Sequence, residues 1–213
     1  QAQIKGWIVD LSDEGEIVRF FGTDAGKPYW IYFANVRSGA VVGGRRPANV
    51  ERAQLTAVQR RMIAAVAAAR DTATKEKFLT CARGPFNTVV IPPASETAPV
   101  EVYLLTPKTE TDVYPFGGHH KVVVAADGTV TFRPFTKGCL SLSAGDGDAR
   151  AVTFGVSHLL DPLPTEIHVF MVLTSKTPVV VVTDDDSVWA VGSREIRYDG
   201  KRTPPERAVA RPQ

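Results

Sequence analysis

One segment of this chain carries a sustained helical period, and everything else must be arranged around it. Leu55, Val58, Met62, Val66 and Ala69 recur at three- and four-residue steps, which predicts an amphipathic helix with one apolar stripe. Asn49 is the expected N-cap, and Glu51 adds a negative charge to the first turn. Arg52, Gln59, Arg60 and Arg70 fall mostly off the stripe. A helix of this kind needs a sheet to cover. A second, shorter helix is expected over 74–82, stopped by Gly84 and Pro85.

The remaining chain is punctuated as strands. Short apolar runs cover 4–10, 16–21 and 29–36, and Gly43-Gly44-Arg45-Arg46-Pro47 then breaks the pattern. Further runs cover 88–91, 100–105, 121–125, 129–132, 140–143, 151–158, 166–173, 179–183 and 188–191. Ala126-Asp127-Gly128 reads as a hairpin turn, as does Asp184-Asp185-Asp186. Strands that follow one another without helices between them argue for α+β, with a mainly antiparallel sheet packed by one amphipathic helix and a strand-rich N-terminal portion. The expected organisation is an N-terminal β portion over 1–47, separate or integral to a main domain over 48–202, and a disordered proline- and arginine-rich tail over 203–213.

Charge and hydropathy exclude some functions. A net charge of +2 is far from the basic excess of a dedicated nucleic-acid binder, so no nucleic-acid partner is expected. Arg45-Arg46 and Arg60-Arg61 read as solvated surface. No apolar run approaches the ~18 residues of a membrane-spanning helix. The opening Gln1-Ala2-Gln3 has the form left by a signal peptidase cutting after a small residue, so a bacterial periplasmic or secreted chain is expected, with a cytoplasmic one as the alternative. In an oxidising compartment Cys81 and Cys139 can pair; otherwise they are buried thiols serving as small apolar groups.

All four histidines, His119, His120, His158 and His168, lie in one stretch that also holds Cys139 and Glu166. These side chains can titrate near neutral pH, bind a transition metal or supply a nucleophile. Taken as a strand, 166–173 places Glu166, His168 and Phe170 on one face, where the carboxylate could orient the imidazole. His158 would share a face with Val152, Phe154 and Val156. His119 and His120 point to opposite sides of their strand, so at most one of them joins a given site. His120, His158 and His168 are the candidate metal ligands, with zinc the metal their chemistry suits, although no His-x-x-x-His or Cys-x-x-Cys spacing is present. Cys139, His120 and Glu166 are the candidate catalytic residues, with His120, His158 and His168 each a candidate base for a Cys139 nucleophile. Tyr114-Pro115-Phe116-Gly117-Gly118 reads as a site-lining loop with glycine hinges, or as a packed anchor.

The segment Lys137-Gly138-Cys139-Leu140 resembles the Gly-Cys-aliphatic core of the L,D-transpeptidases, with His120 standing where that family carries an upstream histidine. The resemblance implies a periplasmic enzyme with Cys139 as nucleophile and His120 as its base. It covers only the stretch from His119 to Ser141. Ser141 stands where the family has an arginine, and His119-His120-Lys121 stands where it has His-Gly-Thr.

The other acidic clusters have simpler readings: Asp184-Asp185-Asp186 as a solvated hairpin tip and Asp146-Gly147-Asp148 as a flexible loop. The expected function is a non-catalytic binding or envelope-structural module with a protein or small-molecule partner and no required cofactor. The alternative is a metal-assisted hydrolase, or a cysteine-dependent hydrolase or transpeptidase, built on the His119–His168 region.

Overall fold

The computed structural model describes residues 3–12, 15–145 and 152–202. The expected tail from Thr203 and the Asp146-Gly147-Asp148 loop lie outside them. The described residues form fourteen strands in four sheets and two helices, a strand-rich α+β architecture as the sequence predicts. The chain divides into two compact units, Gln1–Pro107 with Gly118–Pro134 and Lys108–Gly117 with Phe135–Gln213.

The first unit opens with an antiparallel meander: β1 (Gly6–Ser12), β2 (Gly15–Asp24), β3 (Lys27–Arg37) and β4 (Ala40–Arg45), in that spatial order. Gly43-Gly44 does not break the pattern as expected. Both glycines lie inside β4, which among the described residues is an edge strand paired with β3, where missing side chains cost little packing. Gly44 is required there, since a Cβ on it would sit 2.8 Å from the Phe33 carbonyl oxygen as well as 2.5 Å from the Tyr32 hydroxyl.

Helix α1 (Ala57–Lys75) follows. Met62, Val66 and Ala69 of the predicted stripe are buried on it. The N-cap is Thr56 and not Asn49. Thr56 Oγ1 accepts from the Gln59 amide at 3.1 Å, and Gln59 Oε1 accepts from the Thr56 amide at 2.9 Å, a reciprocal capping box. Asn49 lies inside the first of two backbone turns, Glu51 to Ala48 and Gln54 to Glu51, which delay the helix. Gln59, expected off the apolar stripe, is buried, and its Nε2 donates to Asp10 at 2.7 Å. No second helix forms over 74–82. α1 itself runs on to Lys75, and Lys77 then turns left-handed at φ 53°.

A second antiparallel sheet has the order β5 (Asn87–Ile91), β6 (Val100–Leu105), β8 (His120–Val124), β9 (Val130–Pro134). The β8–β9 hairpin turns at Ala126-Asp127-Gly128, as predicted. Ile8, Phe21 and Trp30 from the first sheet share one core with Met62 and Val66 of α1 and with Val102, Leu104 and Val122 of the second. The N-terminal strands are therefore integral to this core. Each such side chain contributes about 1.5–3 kcal/mol by leaving water.

The second unit holds a short pair, β7 (Val113–Pro115) with β10 (Ser141–Ser143), and a four-stranded sheet. That sheet has the order β11 (Phe154–His158), β12 (Val179–Thr183), β13 (Ser187–Val191), β14 (Ile196–Lys201). β11 and β12 are parallel and the other pairs antiparallel. Two parallel neighbours need a crossover of a dozen or more residues. The segment expected as strand 166–173 supplies it, as helix α2 (Glu166–Ser175). Its buried residues, Ile167, His168, Met171, Val172 and Ser175, recur at helical and not alternating spacing. Lys176 ends it in the left-handed conformation.

Candidate functional site

In the second unit His158 and His168 come together. His158 is the last residue of β11, and His168 lies in the first turn of α2. Their rings meet edge to face with centroids 4.8 Å apart, and both are buried. The carboxylate in this group is Asp161 and not Glu166. His158 Nε2 lies 2.8 Å from Asp161 Oδ2, so the imidazole N–H is held by an acceptor three residues on. Glu166 is exposed. On a helix two residues apart means about 200° of rotation, so the shared strand face expected for Glu166 and His168 does not exist. Glu166 instead places a negative charge at the N-terminal end of α2.

His168 has a definite local task. Its Nδ1 accepts from the Thr165 amide at 2.9 Å, half of a capping box in which histidine stands where glutamate or glutamine is usual. That bond puts the proton of the neutral ring on Nε2. Burial, then the neighbouring His158, hold its pKa down at about 4 from an ordinary 6.5. The folded state thus binds fewer protons than the unfolded chain once pH drops below 6.5. Stability is expected to fall as pH drops from 6.5 toward 4, by up to ~3 kcal/mol once both states are protonated. Urea unfolding of the parent and of His168→Gln between pH 7 and pH 4 tests this. Glutamine keeps the acceptor but does not titrate, so its profile should be flatter, and parallel profiles would remove His168 as the cause.

His119 and His120 belong to the first unit. His119 is buried, and its Nδ1 accepts from the Thr106 amide at 3.1 Å, closing the end of β6. Gly118 beside it turns at φ +72°, and a Cβ there would lie 2.6 Å from Thr106 Oγ1. His120 stacks on Phe78 with centroids 4.2 Å apart, meets Phe86 edge-on, and has Nε2 2.9 Å from the Leu79 carbonyl. Its Nδ1 is buried with no hydrogen-bond partner among the described residues, and burial lowers its pKa. A neutral ring packed between aromatic faces results.

The two cysteines are not free. Cys81 and Cys139 form a disulfide, so Cys139 carries no thiolate in this structure. The Tyr114–Gly118 segment is a packed anchor. Tyr114 and Pro115 belong to β7, and Tyr114 and Phe116 are buried with their rings against Phe154. Among the described residues no group of three His, Cys, Asp or Glu side chains is arranged to hold a metal ion, and His120, His158 and His168 do not form one. At the β12–β13 turn, Asp185 accepts from Thr183 Oγ1 at 2.9 Å and from Ser187 N and Oγ at 3.0 and 2.8 Å. These bonds hold its carboxyl well below the usual range. Asp186 is paired with Arg202 at 2.6 Å.

Asp161 and Thr165 were the participants hardest to see in the sequence. The available signals were an aspartate three residues after His158, and a threonine three before His168 in capping-box spacing. No protein-family model matches the chain, and neither a curated protein nor a solved structure matches it.

Proposed function

We propose that this chain is a non-catalytic binding module of the bacterial envelope, exported to an oxidising compartment. One observation carries the reading: each side chain that could have done chemistry is already engaged in holding the fold. Cys81 and Cys139 are bonded, and the four histidines bond or pack against Thr106, Leu79 and Phe78, Asp161, and Thr165. Such residues serve stability, which leaves recognition to exposed surface. A disulfide also suits export, because reducing compartments rarely preserve one.

Thiol titration of the native protein without reductant, with metal analysis of protein purified without chelators, tests the proposal. No reactive thiol and no stoichiometric metal are expected. A reactive native thiol would favour Cys139 as a nucleophile, and stoichiometric zinc would favour a metal-assisted hydrolase; either result overturns the non-catalytic reading.

A further inference from the structure

The first unit carries a cleft of about 630 Å³ between β3 and the segment that leads to α1, within the size range of small-molecule sites. Ile31 and Tyr32 of β3 line one side. Arg46, Pro47, Asn49 and Arg52, from the segment that leads to α1, line the other. Ile4 also lines it. Among the described residues that line it there is no carboxylate.

That second wall is fixed before any ligand arrives. Arg45 makes a two-point ion pair with Glu51, at 2.7 and 2.9 Å, and Glu51 also accepts from the Ala48 amide at 2.6 Å. The pair, then the amide, hold the Glu51 carboxyl down at about 2. Trp30 fixes the far end of the segment, its amide donating to the Arg52 carbonyl at 2.9 Å and its indole to the Gln54 carbonyl at 3.0 Å. Arg45 therefore occupies the Glu51 carboxylate, while Asp24 lies with Arg52 on a neighbouring cleft. Arg46 and Arg52 make no ion pair among the described residues; the Arg52 guanidinium rests 4.9 Å from the centre of the Tyr29 ring. Across the cleft Tyr32 is 38% exposed, and Gly44 leaves the space for its hydroxyl.

Two unpaired guanidinium groups, a neutral amide and an aromatic face beside aliphatic side chains are complementary to one kind of ligand. We infer that this cleft binds a small organic anion, with a carboxylate, sulfonate or phosphate held by Arg46 and Arg52 and a flat apolar body laid against Tyr32. Arginine presents donors in a planar fork that matches such anions, and a preformed wall reduces the ordering cost of binding. The inference rests on the binding-module reading and supplies its ligand class.

Titration calorimetry with naphthalene-2-carboxylate and with the neutral naphthalene-2-carboxamide tests it. Saturable binding of the carboxylate is expected, weakening as salt rises, with the amide much weaker. Arg46→Gln and Arg52→Gln should each weaken the carboxylate about tenfold or more, and Tyr32→Ala should weaken both compounds. All three side chains are exposed and Arg52 holds the fold through its backbone, so unchanged thermal melting should confirm that the variants fold. Arg197→Gln, whose guanidinium pairs with Asp199 in the other unit, should bind as the parent does. Equal binding of acid and amide would overturn anion recognition, and no saturable binding of either would overturn the site. Neither failure touches the binding-module reading, which stands or falls on the thiol and metal measurements.

Discussion

Reduction of the Cys81–Cys139 bridge is expected to lower the unfolding free energy by about 4 kcal/mol. The bridge closes a loop of roughly sixty residues, and in the chain-entropy model a cross-link of that span removes this much freedom from the unfolded ensemble. Typical domains have only about 5–15 kcal/mol in total, so the loss should be visible in any unfolding experiment. Urea denaturation with and without reductant would measure it, and a Cys81→Ala, Cys139→Ala double variant would separate loss of the bond from side effects of the reductant. Overlapping curves for the three samples would mean that native strain or a compact unfolded state cancels the entropic gain.

Trp30→Ala is expected to cost about 3–5 kcal/mol, the range for truncating a large buried aromatic side chain. Trp30 is 1% exposed, meets Phe33 edge-on at 6.1 Å, and anchors the Gln54 carbonyl through its indole N–H. Its removal leaves a cavity beneath β3 and an unpaired carbonyl in the segment before α1. Trp30→Phe retains most of the packing but not the hydrogen bond, and should cost about 1–2 kcal/mol beyond the change in volume. Equilibrium unfolding of the two variants would give both numbers. A cost below about 1 kcal/mol for Trp30→Ala would mean that the site collapses around the smaller side chain.

Strands bounded by clear punctuation were legible residue by residue. Val100–Leu105 and Val179–Thr183 have their predicted ends, because β-branched runs there stop at proline-containing or acidic loops. The stripe of α1 was legible for the same reason: Met62, Val66 and Ala69 face a core at helical spacing. What was not legible depended on partners distant in sequence. β7 and β14 exist because other strands pair with them, and nothing local marks Val113–Pro115 or Ile196–Lys201 as extended. Glu166–Ser175 is rich in residues that favour strands, and the parallel pairing of β11 with β12 overrides that preference. The candidate site changed with it. Strand parity joined Glu166 to His168, whereas the helix joins His168 to His158 and leaves the carboxylate's part to Asp161.

The order in which the chain visits its two compact units has a consequence for biosynthesis. The chain leaves the first unit at Pro107, spends Lys108–Gly117 in the second, and returns for Gly118–Pro134 before leaving again. A nascent chain that has emerged only to Pro107 has β6 but neither β8 nor β9, so the edge of β6 that will pair with β8 is bare. The core of the first unit also lacks Val122 until β8 arrives. Neither unit is a continuous stretch of the gene, so neither can be released as a fragment by a single cut. Folding of the first unit waits until Pro134 is available, and during that interval the unpaired strand is the surface a chaperone would need to shield.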